Sequence, residues 1–161
     1  MTNAQETRTR RDQLLRSTRE AHTRLEELLA GLSEEEQTRP GVTDGWSVKD
    51  HLAHLTWWEQ RVIRMLAGDP DPISAFPGNP EDEDAINAYV FAQNRDRPLT
   101  DVRTAFDASY QQMLHLIATV PDDVFDARHG WISGNADSHY DEHLRMLQSW
   151  RERTPGASGA G

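Results

Sequence analysis

Apolar residues recur every three or four positions along most of the chain, which is the spacing of one face of an α-helix. The pattern predicts four long helices near residues 4–30, 48–67, 101–119 and 136–152, and a shorter helical stretch near 82–95. No segment has a convincing strand pattern. The chain is therefore predicted to fold as an all-α four-helix bundle with short extra helical turns.

Local signals set the expected helix boundaries. Ser33 with Glu36, and Ser47 with Asp50, have the spacing of a capping box, in which each side chain bonds to the other residue's backbone N–H. Thr100 is the expected N-cap of the third long helix. These signals place a short helical turn after Ser33 and the start of the second long helix after Ser47.

Three segments fall outside the long helices. Residues 68–82 contain four prolines and are predicted to form a loop, either a plain connector or a lid over a site. Residues 121–135 are interpreted as a short turn followed by an irregular, glycine-punctuated segment around Trp131. The tail at 154–161 is expected to be disordered, which leaves residues 1–153 as one domain.

Composition narrows the classes of partner and cofactor. The 161 residues carry 17 Lys+Arg and 27 Asp+Glu, a formal net charge of −10. Because nucleic acids and anionic membranes attract clustered Lys and Arg, we expect neither as a partner. With no membrane-length apolar run and no secretory signal, the expected location is the cytoplasm. There are no cysteines, so a metal must bind His, Asp or Glu, and a thiol must come from a small molecule.

Histidines on two predicted helices form the main candidate site. His139 and His143 are four residues apart and project from one helical face. His54 lies on the apolar face of the second long helix, and His51 lies one turn earlier. Spacing alone leaves an ordinary alternative open for each, as a solvated, core-edge or backbone-bonded histidine. If His54, His139 and His143 converge, they form a neutral ligand set with open coordination positions, suited to Zn²⁺ and also to Ni²⁺, Fe²⁺ or Mn²⁺.

A resemblance to a known superfamily supports this combination. Residues 45–59 (GWSVKDHLAHLTWWE) resemble the second helix of DinB-like four-helix bundles, in which a metal-ligand His follows a Trp by eight residues. Here Trp46 is followed by His54, and the family's last-helix His-x-x-x-His pair is matched by His139 and His143. The resemblance implies a DinB-like bundle that holds a divalent transition metal on these three histidines, with Zn or Ni expected first.

Two further segments resemble the ClbS/DfsB branch of that superfamily. They are Ile132-Ser133-Gly134-Asn135 before the last helix, and Ile86-Asn87 followed by the run at 94–98 (NRDRP). Members of the superfamily include transferases and isomerases that use a low-molecular-weight thiol, and the branch includes a self-resistance protein that hydrolyses an electrophilic cyclopropane. The resemblance therefore implies detoxification or self-protection against an electrophilic small molecule.

Other residues are candidates for the substrate pocket or for proton transfer. Trp58, Tyr89 and Trp131 could form aromatic walls, although large aromatic residues in a bundle more often belong to the core. Asn87 could orient a substrate carbonyl or could lie on the surface. Glu59 is a weak candidate for the general base, with a surface salt bridge as the alternative.

Three functional hypotheses follow from these features. The first is a metal-dependent hydrolase or thiol S-transferase acting on an electrophilic small molecule. The second is a small-molecule binding or sequestering protein with a structural or vestigial metal site. The third is a purely structural metal site, closed by a fourth ligand from His51, Asp50 or Glu142. A homodimer is a plausible assembly in each case.

Overall fold

The computed structural model describes residues 2–70 and 76–154 of the chain. Residues 71–75 belong to the segment 68–82 interpreted above as a connector or lid, so that interpretation lies partly outside the described residues. The same holds for the predicted disordered tail, of which 155–161 are not described.

Every regular element in the described ranges is an α-helix, which confirms the predicted all-α fold. Four of the helices are long and match the four predicted ones within a few residues. In chain order the helices are α1 (Asn3–Ala30), α2 (Glu34–Thr38), α3 (Val48–Leu66), α4 (Glu83–Asn94), α5 (Leu99–Thr119), α6 (Asp122–Asn135) and α7 (Asp137–Arg153).

The capping signals explain where α2 and α3 begin. Both predicted capping boxes are present, with Ser33 and Glu36 at the start of α2 and Ser47 and Asp50 at the start of α3. The predicted cap at Thr100 is wrong. α5 begins one residue earlier and follows Pro98, whose fixed φ suits a helix entrance, although Pro98 supplies no side-chain cap.

The segment at 121–135 is a regular helix, α6, and the prediction of an irregular segment is wrong. Gly130 and Gly134 lower helix propensity by about 1 kcal/mol each relative to alanine. Their cost is offset because Phe125 and Ile132 are fully buried against the bundle. The backbone breaks only at Ala136, where α6 gives way to α7.

The bundle core lies between two helix pairs, α3 with α5 and α1 with α7. α3 lies deepest, because every residue from 48 to 55 is buried. This placement carries both of its histidines into the interior. A smaller apolar cluster packs α3 against α4 and contains Trp58, Ile86 and Val90, with Trp57, Phe76 and Tyr89 at its edge.

Lys49 connects the first turn of α3 to the end of α4. Its side chain is buried, and its ammonium donates hydrogen bonds to the carbonyl oxygens of Arg95 (2.6 Å) and Arg97 (2.9 Å). Lysines near a helix end stabilise the unpaired carbonyls there. Across the described part of the chain, no helix combines the length and apolar character needed to cross a membrane.

Candidate metal centre

Two helices supply the histidines of the candidate site. α3 contributes His51 and His54, and α7 contributes His139 and His143. The four-residue spacing on α7 places His139 and His143 one turn apart on the same face. The packing of α3 against α7 then brings His54 to that face.

The Nε2 atoms of the three predicted ligands converge. His139 Nε2 lies 3.0 Å from His54 Nε2 and 3.2 Å from His143 Nε2. One ligand atom from each of the three side chains lies within 4.8 Å of the others. His54 and His143 are buried, whereas His139 is partly exposed.

Burial keeps these imidazoles neutral. Desolvation lowers the pKa of His54 to about 3 and that of His139 to about 4. It also holds the pKa of His143 well below the ordinary value, and neighbouring histidines add to the effect. Because a metal binds the lone pair of neutral imidazole, the three side chains do not have to lose a proton at neutral pH.

The chemistry of this donor set fits a divalent transition metal. Nitrogens bound to one tetrahedral Zn²⁺ at about 2.0–2.1 Å lie roughly 3.3–3.4 Å apart, close to the separations of the Nε2 atoms here. The outer nitrogens, Nδ1 of His54 and of His139, are buried without a hydrogen-bond partner, which leaves Nε2 as the converging atom of each ring. Among the described residues, the cluster gains no fourth His, Asp or Glu.

Of the three residues considered as a fourth ligand, Glu142 is exposed at the cavity lining and is not part of the His cluster, and His51 and Asp50 have other contacts. His51 Nδ1 lies 2.7 Å from His143 Nδ1, on the outer side of that ring, and His51 Nε2 lies 3.0 Å from Thr43 Oγ1. Asp50 Oδ2 accepts hydrogen bonds from the backbone and hydroxyl of Ser47 as part of the α3 cap. The site is thus open, as in catalytic rather than structural zinc sites.

A cavity of about 660 Å³ adjoins the three histidines. This volume falls in the range of small-molecule sites. Its walls combine aromatic rings, two amides, one arginine and, at the rim, four exposed carboxylates. The lining includes Thr43, Asp44, Trp46, Trp58, Arg61, Glu83, Asp84, Asn87, Trp131, Asn135, Glu142 and Met146.

Three of the four residues predicted for a substrate pocket lie at this cavity. Trp58, Asn87 and Trp131 line it, and Asn87 Oδ1 accepts a hydrogen bond from Trp58 Nε1 at 3.3 Å. Tyr89 is not among the lining residues. It packs at the edge of the smaller apolar cluster, with its ring 5.5 Å from that of Phe76.

Glu59, the candidate general base, is fully buried and does not line the cavity. Its carboxyl group accepts a hydrogen bond from the hydroxyl of Tyr140 on α7. Burial raises the pKa of Glu59 to about 8. Burial excludes the suggested surface salt bridge, and because Glu59 is not a lining residue its position gives no support to a role in proton transfer.

Trp46 and Arg61 are among the wall residues that the sequence analysis did not predict. The ring of Trp46 lies 5.4 Å from each of the rings of His51 and His54. The Arg61 guanidinium lies over Trp58 (5.2 Å) and Trp131 (5.7 Å), and so links α3 to α6. Arg61 is three residues after Trp58 on α3, so helical spacing could have assigned it to the same face.

Comparison with known proteins places this architecture in a family. The family model of the DinB superfamily matches residues 17–148 of the chain. No curated protein and no solved structure matches the chain. The matched region includes α3, α7 and all three converging histidines, and members of the superfamily often bind metals. On the extent of this match, the chain belongs to the DinB superfamily.

Proposed function

We propose that the protein is a metal-dependent enzyme that acts on an electrophilic small molecule. A divalent transition metal, Zn²⁺ or Ni²⁺ first, is held by His54, His139 and His143. One observation carries the proposal: three neutral imidazoles converge beside a cavity, and no fourth protein ligand among the described residues closes the site.

The bound ion supplies a Lewis acid that activates water or a thiol at neutral pH. The chain's own residues supply the rest. α3 and α7 fix the imidazoles in place, Trp58 and Trp131 provide flat apolar walls, and Asn87 offers an amide to a substrate carbonyl. The thiol, where one is used, enters from solution because the chain has no cysteine.

Within the superfamily we favour the ClbS/DfsB branch, and with it a role in detoxification or self-resistance. The segment at 132–135 that resembles this branch is at the cavity, since Gly134 and Asn135 are lining residues. Asn87, from the other branch-like segment, lines it too. Each resembling segment therefore contributes at least one residue to the cavity lining, whereas the run at 94–98 is not part of it.

One observation favours a second candidate, a protein that binds and sequesters small molecules without turnover. The carboxylates that line the cavity are all solvent exposed, and the buried carboxyl of Glu59 lies elsewhere. A general base normally acts from a fixed position within hydrogen-bond reach of the proton it removes. In this alternative the metal site is structural or vestigial.

Elemental analysis of untagged protein tests the metal site first. We expect nearly one transition-metal ion per chain in the wild type, and loss of most of it in His54→Ala and His143→Ala. His115→Ala is the matched control, because His115 is exposed and outside the cluster. A metal-free wild type that remains so after incubation with Zn²⁺ and Ni²⁺ would exclude the proposal.

Turnover separates the enzyme from the sequestering protein. The metal-loaded protein is mixed with an excess of an activated cyclopropane or epoxide, with and without an added small thiol, and product is measured by mass spectrometry. Many equivalents of a water or thiol adduct per protein support the enzyme. Saturable binding at one equivalent with no product supports sequestration.

A further inference from the structure

His51 is buried, and both of its ring nitrogens face another polar group. Nδ1 lies 2.7 Å from Nδ1 of His143, and Nε2 lies 3.0 Å from the hydroxyl oxygen of Thr43. The three residues thus form an unbroken chain of contacts from the loop before α3 to the outer nitrogen of one candidate ligand.

The positions of the protons in this chain are linked. Neutral imidazole carries one N–H, so the nitrogen that donates leaves the other as an acceptor. If His143 Nε2 offers its lone pair to the ion, its proton is on Nδ1 and is donated to His51 Nδ1. The proton of His51 is then on Nε2 and is donated to the oxygen of Thr43.

We propose that His51 and Thr43 are positioning residues that hold His143 in the Nδ1–H tautomer with its Nε2 directed at the metal position. This inference rests on the metal site of the proposed function. In this proposal His51 orients a metal ligand and does not itself bind the metal.

The surroundings of Thr43 suit such an anchor. The loop is tied by hydrogen bonds from Trp46 N to Thr43 O (2.7 Å) and from Val42 N to Trp46 O (2.8 Å). The Trp46 ring then packs against His51. A hydroxyl group fixed in this way can hold the ring of His51 without a charged partner.

The other two ligands lack an equivalent support. Nδ1 of His54 and Nδ1 of His139 are buried and have no hydrogen-bond partner. Of the three converging rings, His143 alone has its outer nitrogen within hydrogen-bond distance of a further side chain among the described residues. Partners of this kind fix the tautomer and ring orientation of metal-bound histidines, and their loss typically weakens metal affinity about 10–100-fold.

Zn²⁺ affinity, measured by competition with a chromogenic chelator, tests the inference. We expect His51→Ala to weaken binding by about 10–100-fold. His51→Asn should recover most of the loss, because its Oδ1 can occupy the place of Nδ1 and accept from His143. Thr43→Val keeps the shape of the side chain and should cause a smaller loss, and His115→Ala should cause none.

Two spectroscopic measurements separate positioning from a general effect on folding. The visible spectrum of bound Co²⁺ should change in His51→Ala and return toward wild type in His51→Asn. In metal-free protein, imidazole ¹H–¹⁵N correlation spectra should show the Nδ1–H tautomer for His143 and the Nε2–H tautomer for His51. Thermal unfolding of each variant shows that it is folded.

The outcomes also separate this inference from the proposed function. If wild type binds Zn²⁺ and His51→Ala binds it equally well with an unchanged Co²⁺ spectrum, the inference is overturned and the metal site stands. A proton on Nε2 of His143 in the metal-free protein overturns it as well. If wild type binds no metal, both the proposed function and the inference are overturned.

Discussion

Glu59 places an ionisable group in the interior of the bundle, with the Tyr140 hydroxyl as a hydrogen-bond donor. Burial raises its pKa from 4.5 to about 8, so the folded protein keeps the carboxyl protonated at neutral pH. The unfolded chain ionises the same group near its ordinary pKa. The folded state thus binds the extra proton over the whole interval between these two values.

This difference predicts a pH-dependent stability. The contribution of Glu59 to the free energy of unfolding is fully present below about pH 4.5. It is lost as pH rises toward about 8, by at most about 1.4 kcal/mol per pH unit. Glu59→Gln stays neutral and can still accept a bond from Tyr140, so the variant should lose this decline. Urea unfolding at several values between pH 5 and 8 measures it.

Glu20→Gln is the control, because Glu20 is exposed on α1. Its stability should follow that of the wild type at every pH. Equal pH slopes for wild type and Glu59→Gln would show that Glu59 ionises normally in the folded protein.

At the scale of elements, α6 shows how packing overrides local preference. Gly130 and Gly134 made the segment look irregular, yet Phe125 and Ile132 bury enough apolar surface to hold it as a helix. Open space surrounds the position of a Cβ atom at either glycine. Neither glycine has a positive φ, so neither is required by backbone conformation.

Gly130→Ala is therefore expected to stabilise the protein. Alanine restricts the unfolded chain and raises helix propensity, which together give about 0.4–1 kcal/mol in the free energy of unfolding. Gly45→Ala is the matched contrast. Gly45 has φ of +80°, in the left-handed region, and alanine there should cost about 1–2 kcal/mol.

Both variants are compared with wild type by denaturant unfolding. A loss of stability in Gly130→Ala would show that α6 does not have room for a methyl group. No loss in Gly45→Ala would show that the loop before α3 can change its backbone conformation.

The protein as a whole has a formal net charge of −10, and acidic side chains also lie at the entrance of the cavity. Four exposed carboxylates lie on the lining, and Arg61 is the cation among the described lining residues. A single exposed charge interacts weakly with a ligand, but several charges of one sign together set the electrostatic potential at a cavity entrance. The rim should therefore disfavour anionic ligands.

Two probes with the same aromatic body, one bearing an ammonium and one a carboxylate, test this effect. We expect the ammonium probe to bind more tightly by roughly 3–10-fold at low salt, and the difference to shrink at high salt, because screening shortens the range of the rim charges. The double variant Glu83→Gln with Asp84→Asn should reduce the preference. Calorimetry measures the affinities. Tighter binding of the carboxylate probe would show that the positive charge of Arg61 has a larger effect than the rim carboxylates.

Features that depend on neighbours within a few residues could be predicted from the sequence alone. Helical periodicity, the capping boxes at Ser33 and Ser47, and the shared face of His139 and His143 are all local. They sufficed for the all-α fold and for both proposed ligands on α7, His139 and His143. His54 was a candidate from its place on the apolar face of the second long helix, and the superfamily resemblance supported its inclusion.

Which partner each helix face contacts depends on how the helices pack. Helical spacing on α3 could not show that His51 contacts the outer nitrogen of His143, that Trp46 forms a cavity wall, or that Glu59 lies in the core. A period of 3.6 residues groups side chains on a helix but leaves open which partner helix each group contacts. The partner of each face is set by the packing of α3 against α5, α4 and α7 together. An apolar face that is buried against one helix is no longer available to another.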